Sequence, residues 1–353
     1  MRRVFKSIFI CALALALCSS CWRDKDDENQ KPQGPSTESQ PSWYAVGMCY
    51  NEVVDTIAAT VWKDGQVMYS IAEPEANTIA YGISVSGKDV YYCGLLENSQ
   101  SVYSVVWKND KQILSVDIDD QVLSGHIVNG FTDVAVIGTD VYALGEVHLS
   151  PEDSAAVIFK NGTPAFVDRV SNGAEVTSIK AIGKSLYAVG CVEVNQQTKP
   201  AVWIDGSLKV VDVPTGADGG AIYSVSECNG DIYLAGELYI DSSDSTCACV
   251  WKNGVPENIA TTAQGETYAT GVAVLSDDIY ASGQMWTEND EFACVWKNDM
   301  QSMLGVGEAM GIVNCNGKIV VGGYSYYMDA PMATVWIDNE PHYLGYGMVA
   351  RMQ

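Results

Sequence analysis

Two short motifs alternate along this chain, seven times each and always in the same order. The first is Tyr-x-x-Gly, found at Tyr44 to Gly47, Tyr91 to Gly94, Tyr142 to Gly145, Tyr187 to Gly190, Tyr233 to Gly236 and Tyr280 to Gly283, with Val320 to Gly323 as a degenerate seventh copy. The second begins with Val or Ile and an aromatic residue and ends in a turn dipeptide: Val61 to Gly65, Val106 to Asp110, Ile158 to Gly162, Val202 to Gly206, Val250 to Gly254, Val295 to Asp299 and Val335 to Asn339. Seven motif pairs in register make seven copies of one unit, with a period of about 40–50 residues, and that repetition limits the folds open to the chain more than any local propensity does.

Each unit carries two tight-turn signals. Asn-Gly and Asp-Gly tolerate the positive φ of a two-residue hairpin and close the second motif. A further turn precedes each Tyr-x-x-Gly strand, as at Gly87-Lys88-Asp89 and Asn229-Gly230-Asp231. One unit therefore reads as four short antiparallel strands, a to d, which in the second unit are expected at Ile83 to Ser86, Val90 to Leu95, Val102 to Lys108 and Gln112 to Val116. No segment beyond the first residues has a helical period, and four strands per repeat predict a seven-bladed β-propeller over residues 43–353. The repeats start at strand b, and the final stretch Gly345 to Met352 resembles the strand-a segment Ala80 to Ser86. The C-terminal strand is therefore expected to complete the first blade, close the ring and remove a free edge.

Ahead of the repeats, Arg2, Arg3 and Lys6 precede an apolar run from Ile8 to Leu17 that is too short to span a bilayer, followed by Cys18-Ser19-Ser20-Cys21, the layout of a secretory signal. Ser19 and Ser20 before Cys21 resemble the lipobox of bacterial lipoproteins, which implies a signal at residues 1–20 and acylation of Cys21. The following Lys25-Asp26-Asp27-Glu28 looks like the surface-export tag of Bacteroidota lipoproteins. The rest of residues 21–42 is too polar and Pro-rich to fold and reads as a tether. The expected location is the outer membrane, held by the lipid anchor and facing the cell surface.

The blade layout is also similar to the kelch repeat, from about Trp43 to the end. It departs from kelch in having a double Gly only at Gly322-Gly323 and in lacking the spaced Tyr and Trp pair. The resemblance implies the propeller fold and brings no function with it.

Loss of the signal removes three cations and takes the formal charge from −24 to about −27. Such a chain repels nucleic acid and anionic lipid. With only Arg169 and Arg351 in the repeats, a site that clamps phosphates or carboxylates through several guanidinium groups, as in sialidase-type propellers, is disfavoured. Eight cysteines follow Cys21, several at equivalent repeat positions that blade spacing holds apart, and most are expected to be buried thiols.

The strand-c aromatics Trp62, Trp107, Phe159, Trp203, Trp251, Trp296 and Trp336 are present in every unit and read as core between blades, since a ligand needs one site and a core needs every copy. Function is expected where copies differ, on the face bearing the b-to-c and d-to-a connections. Acidic and aromatic residues gather there, and Trp286, Glu288, Asp290, Tyr326, Tyr327 and Asp329 are the candidate ligand contacts. Carboxylates on that rim are of the kind that hold calcium, yet no EF-hand spacing is present. His126, His148 and His342 lack a patterned third ligand for zinc. No nucleophile elbow, Walker loop, dinucleotide fingerprint or zinc-protease motif occurs, and no cofactor or catalytic residue is assigned. The leading expectation is a surface module that binds an extracellular ligand such as a glycan. The alternatives are a scaffold for an envelope protein partner and, less favoured, a glycan hydrolase or lyase using rim carboxylates.

Overall fold

The turn residues of the second motif adopt the backbone that two-residue hairpins demand. Asp64 and Gly65 have φ of 50° and 82°, Asn253 and Gly254 have 54° and 84°, and Asn109 and Asn298 take 57° and 54° even where glycine is absent. In four units the turn asparagine also pins the start of strand b. Asn109 accepts the Val90 N–H at 2.9 Å and donates to Asp89 at 3.0 Å. Asn161, Asn253 and Asn298 repeat both bonds on their own units. The lysine before each asparagine adds an ion pair, Lys108 with Asp89 at 2.7 Å, and lies over the motif tyrosine, Tyr91, at 5.2 Å from the ring centre. These exposed contacts contribute little energy individually, but they explain why the two motifs occur together.

The structure is a computed structural model that describes residues 41–123, 125–150, 153–167, 174–240, 245–258, 266–288, 290–328 and 330–353. The signal, Cys21, the tether to Gln40, Arg169 and Asp329 lie outside the described residues. Among the described residues every regular element is a β-strand, and all strand pairs are antiparallel. Ala76–Ser86, Asp89–Asn98, Val102–Lys108 and Lys111–Asp117 form one four-stranded sheet in chain order. Glu175–Val210 and Gly219–Asn258 each form another, and the third unit has a short fifth strand, Gln121–Val122, at its inner edge.

The remaining strands join in one ten-stranded sheet because two long strands each serve two units. Met300–Cys315 leaves Glu291–Lys297 and continues along Lys318–Tyr327. Glu340–Met352 pairs first with Ala330–Ile337 and then with Tyr44–Asn51, matching Ala45 with Met352 and Met48 with Met348. Tyr44 and Gln353 exchange backbone hydrogen bonds of 2.7 and 2.9 Å. Gly305, Gly307, Gly345 and Gly347, with φ from 121° to 148°, let the chain cross between units without a loop.

Strands a and b run further than their hydrophobic pattern suggests. Strand a of the second unit begins at Ala76 rather than Ile83, and strand b ends at Asn98 rather than Leu95, because Asn77 and Thr78 continue the ladder with Glu97 and Leu96. Main-chain pairing does not require apolar side chains. Several expected loops shrink accordingly: Glu97, Glu193, Tyr326 and Tyr327 lie on strands, and Asn195-Gln196 is a bare two-residue turn with both φ positive.

The seven strand-c aromatics are at most 2% exposed. Each lies in a cluster made from its own unit and the one before it, Trp107 with Val46 and Val61, and Trp251 with Val189 and Val202. Trp62 packs with Val320 and Val335 of the last unit. The aromatics are thus core between sheets. All eight described cysteines are free thiols, six of them buried.

The motif glycine has a separate physical cause. Strand a carries a β-bulge at Tyr81, Thr177, Tyr223, Thr270, Met310 and Ala350. Beside each bulge a strand-a carbonyl presses on the motif glycine of strand b. A Cβ on Gly94, Gly190, Gly236, Gly283, Gly323 or Gly47 would stand 1.8–2.0 Å from the carbonyl oxygen of Ile79, Glu175, Ala221, Tyr268, Glu308 or Met348. No side chain fits there, so the glycine recurs because the bulge does.

Strands a from all the units face one cavity of about 520 Å³, lined by residues as far apart in the chain as Ser84, Asp133, Ser178, Ser224, Thr270, Ile312 and Arg351. Four-stranded antiparallel sheets with their first strands around a shared cavity have the layout of a β-propeller.

Candidate functional site

The bulge that excludes a side chain from the motif glycine also sets two repeat positions side by side on strands a and b. One is the residue whose carbonyl covers the glycine; the other directly follows the glycine. These pairs are Met348 with Met48 and Ile79 with Leu95 in the first two units. They become Glu175 beside Cys191, Ala221 with Glu237, Tyr268 with Gln284, and Glu308 with Tyr324 in the fourth to seventh units. The same two positions are therefore apolar in the first two units and carry carboxyl, carboxamide or phenol groups in the fourth to seventh. The strand-a member of each pair lies just ahead of the strand-a residues that line the cavity, and the other member faces it from strand b.

These side chains form a continuous run of contacts. The Tyr223 hydroxyl donates to Glu237 Oε1 at 2.6 Å, and the Tyr223 ring meets Tyr268 edge-on with centroids 6.0 Å apart. Tyr268 in turn meets Trp286 at 6.2 Å, and Trp286 Nε1 donates to Gln284 Oε1 at 3.0 Å. Gln284 Nε2 and the Tyr324 hydroxyl both donate to Glu291 Oε1, at 3.4 and 3.3 Å, and Tyr324 packs edge-on against Tyr326 at 5.7 Å. Gln284 is fully buried, and Glu237 is 8% exposed.

Burial sets the chemistry of the cluster. It pushes the Glu237 carboxyl up to about 7, against the lowering effect of hydrogen bonds from Tyr223 and Tyr239. Glu308 is raised to about 8 by burial first and then by the neighbouring carboxyl of Glu291, so Glu308 is protonated at neutral pH. Glu175 is raised chiefly by burial. The phenols of Tyr223, Tyr239, Tyr268 and Tyr324 are raised by burial and by the nearby carboxylates, so they stay protonated donors. The result is a set of fixed hydroxyl donors, carbonyl acceptors and ring edges.

A pH dependence follows. The folded pKa of Glu237 exceeds its ordinary 4.5, so its stabilising protonation is complete below about 4.5 and is lost as pH rises through about 7. Thermal stability should fall between pH 5 and 8 by an amount worth at most about 3 kcal/mol. Glu237→Gln should flatten the curve and raise the Tm at pH 8; an unchanged profile by calorimetry would remove Glu237 as its source.

Of the residues nominated from sequence, Trp286 lies within the run of contacts and Tyr326 at its exposed end, 47% accessible. Tyr327 turns instead toward Tyr343, 6.0 Å away. Glu288 and Asp290 are exposed in the turn after Trp286, where the Asp290 N–H bonds to Thr287 Oγ1 at 3.1 Å. Glu237, Tyr223, Tyr268, Gln284, Glu308 and Tyr324 were not nominated. A signal for them was present: the residue after the motif glycine is Met48, Leu95 and Cys191 in three units but Glu146, Glu237, Gln284 and Tyr324 in the others. Among the described residues no group of three or more His, Cys, Asp or Glu is placed to hold a metal ion. His126 and His148 are cross-strand partners, with Glu146 3.8 Å from His148.

No family model matches this chain, and no curated protein matches it. Among solved structures it is similar to a puromycin-hydrolysing peptidase of Mycobacterium tuberculosis, with a TM-score of 0.53 and 12% identity, over 88% of this chain and 53% of the peptidase. Also similar are the β-propeller domain of the trilobed protease of Pyrococcus furiosus, at TM-score 0.47, 12% identity and 86% and 93% coverage, and a putative TolB of Agrobacterium tumefaciens, at 0.42, 12%, 75% and 90%. The likeness is one of fold. The chain spans about half the length of the peptidase, and at this identity no chemistry transfers.

Proposed function

We propose that this protein is an exported lipoprotein, anchored in the outer membrane through Cys21, whose kelch-like propeller is a surface binding module for an extracellular ligand such as a glycan. The propeller is a seven-bladed ring closed by the C-terminal strand. The observation that carries the binding role is the asymmetry of two repeat positions, both apolar in the first two units (Met348 with Met48, Ile79 with Leu95), with at least one polar member in each of the fourth to seventh (Glu175, Glu237, Gln284 beside Tyr268, Glu308 beside Tyr324). Inter-sheet packing uses every copy alike and has no need of that difference. Ring edges beside fixed hydroxyl and carboxamide groups suit a polyhydroxylated ligand, which offers C–H faces for stacking and hydroxyls for hydrogen bonding.

The test is a thermal-shift screen of the purified protein against glycans, peptides and divalent cations, with product analysis of each hit. A true ligand raises the Tm with concentration. Trp286→Ala should weaken binding about tenfold or more while leaving the ligand-free Tm within a few degrees. Cys21→Ala should abolish acyl labelling and membrane retention without altering ligand binding. No shift across the panel would redirect the proposal to a scaffold that binds an envelope protein.

A hydrolytic reading is favoured by one feature, the protonated Glu308 next to a second carboxyl, Glu291, since hydrolysis of a glycosidic bond uses a pair of carboxyl groups, one of them a proton donor. A hit recovered cleaved, with turnover lost in Glu308→Gln but binding retained, would establish it.

A further inference from the structure

The central cavity holds a second cluster, separate from the carboxyl and aromatic residues of the candidate site, none of which lines it. Arg351, on the C-terminal strand, reaches toward Asp133 and Ser178 of other units, yet its contacts are poor. Its Nη2 lies 3.6 Å from Asp133 Oδ2, its Nη1 3.4 Å from Ser178 Oγ, and its buried Nε has no hydrogen-bond partner among the described residues. The Asp133 carboxylate is already engaged. Its Oδ2 accepts Ser178 Oγ at 2.7 Å and the Ile179 N–H at 2.9 Å, and its Oδ1 accepts the Val134 N–H at 2.9 Å. A guanidinium with five donors is thus left with two long contacts.

Lys180, two residues beyond Ser178, lines the same cavity. No hydrogen bond or ion pair reaches its Nζ among the described residues, and burial lowers its pKa although Asp133 opposes that effect. Glu227, the other acidic residue of the lining, is exposed and accepts the Gly230 N–H at 2.6 Å. A lysine without a partner and an arginine held only by long contacts, lining one hydroxyl-bearing cavity, form an arrangement that a further negative charge would complete.

We infer that the central cavity binds a small carboxylate or oxyanion, held between Arg351 and Lys180 with the serine hydroxyls of the lining strands as further donors. The cavity of about 520 Å³ admits an ion of a few heavy atoms with its water. The site opposes the charge of the whole chain, so it selects by local pairing and not by long-range attraction.

The experiment titrates malonate and inorganic phosphate into the full-length protein at constant ionic strength held with sodium chloride, following Tm and, by isothermal calorimetry, stoichiometry. At least one anion should raise the Tm saturably by about 3 °C at one site per chain. Lys180→Met should abolish the rise, with a ligand-free Tm equal to or above that of the wild type because a partnerless cation is removed; Lys180→Arg should keep it. Trp286→Ala, outside the cavity lining, should leave anion binding intact, which separates this site from the proposed ligand site. The absence of any saturable rise or heat, or an equal rise in Lys180→Met and in Lys180→Gln, would overturn the inference.

Discussion

A chain ending at Leu344 should lose cooperative folding altogether. The deleted residues include Val349 at 0% exposure and Met352 at 7%, both packed between the first and last units, and Ala350 at 8%. They also supply the partner strand of Tyr44–Asn51, from Cys49 opposite Gly347 to Ala45 opposite Met352. Burial of Val and Met side chains is worth about 1.5–3 kcal/mol each and a net backbone hydrogen bond about 1 kcal/mol. The total is on the order of 5–8 kcal/mol, comparable to the whole stability of a typical domain. The deletion also bares an edge strand, so the product should aggregate. Circular dichroism melts and gel filtration read both effects. A soluble monomer with an unchanged Tm would refute closure of the ring by this strand.

Gly236→Ala should destabilise the protein by about 3–4 kcal/mol. Its new Cβ would stand 1.9 Å from the Ala221 carbonyl oxygen and 2.8 Å from the Ile222 Cα, both of them backbone atoms that cannot rotate away. The two strands must part at the bulge, with loss of packing in the inter-sheet core. Gly230→Ala is the internal control. Its φ is 85° and a Cβ there meets nothing within 4 Å, so the cost is only the left-handed backbone, about 1–2 kcal/mol. Equal losses in the two variants, by denaturant titration, would show that contact with the strand-a carbonyl does not explain the motif glycine, whose own φ is not positive.

Much of the architecture was legible because it is written in local chemistry repeated many times. Asn-Gly and Asp-Gly turns specify hairpins wherever they occur, and Trp251 or Trp296 must be buried by some neighbour whichever it is. Strand lengths were less legible, since the ladder between Asn77 and Glu97 is made by main-chain groups that every residue carries. The motif glycine was visible as a pattern, but its cause, a carbonyl on another strand, was not.

The candidate site divides in the same way. Trp286 and Tyr326 could be nominated because they interrupt a repeat near variable segments. Glu237 and Glu308 could not be paired with their partners from order alone, since Tyr223 and Glu237 meet only when a bulge places strands a and b in this register. Arg351 and Lys180 are 171 positions apart and share a cavity only because strands a from distant units converge. Repetition, turn type and aromatic periodicity act through neighbours along the chain, so the sequence by itself determined the four-stranded repeating unit. Which polar groups meet depends on register, bulges and the convergence of distant strands on one cavity, where long-range packing decides, and only the tertiary structure settled it.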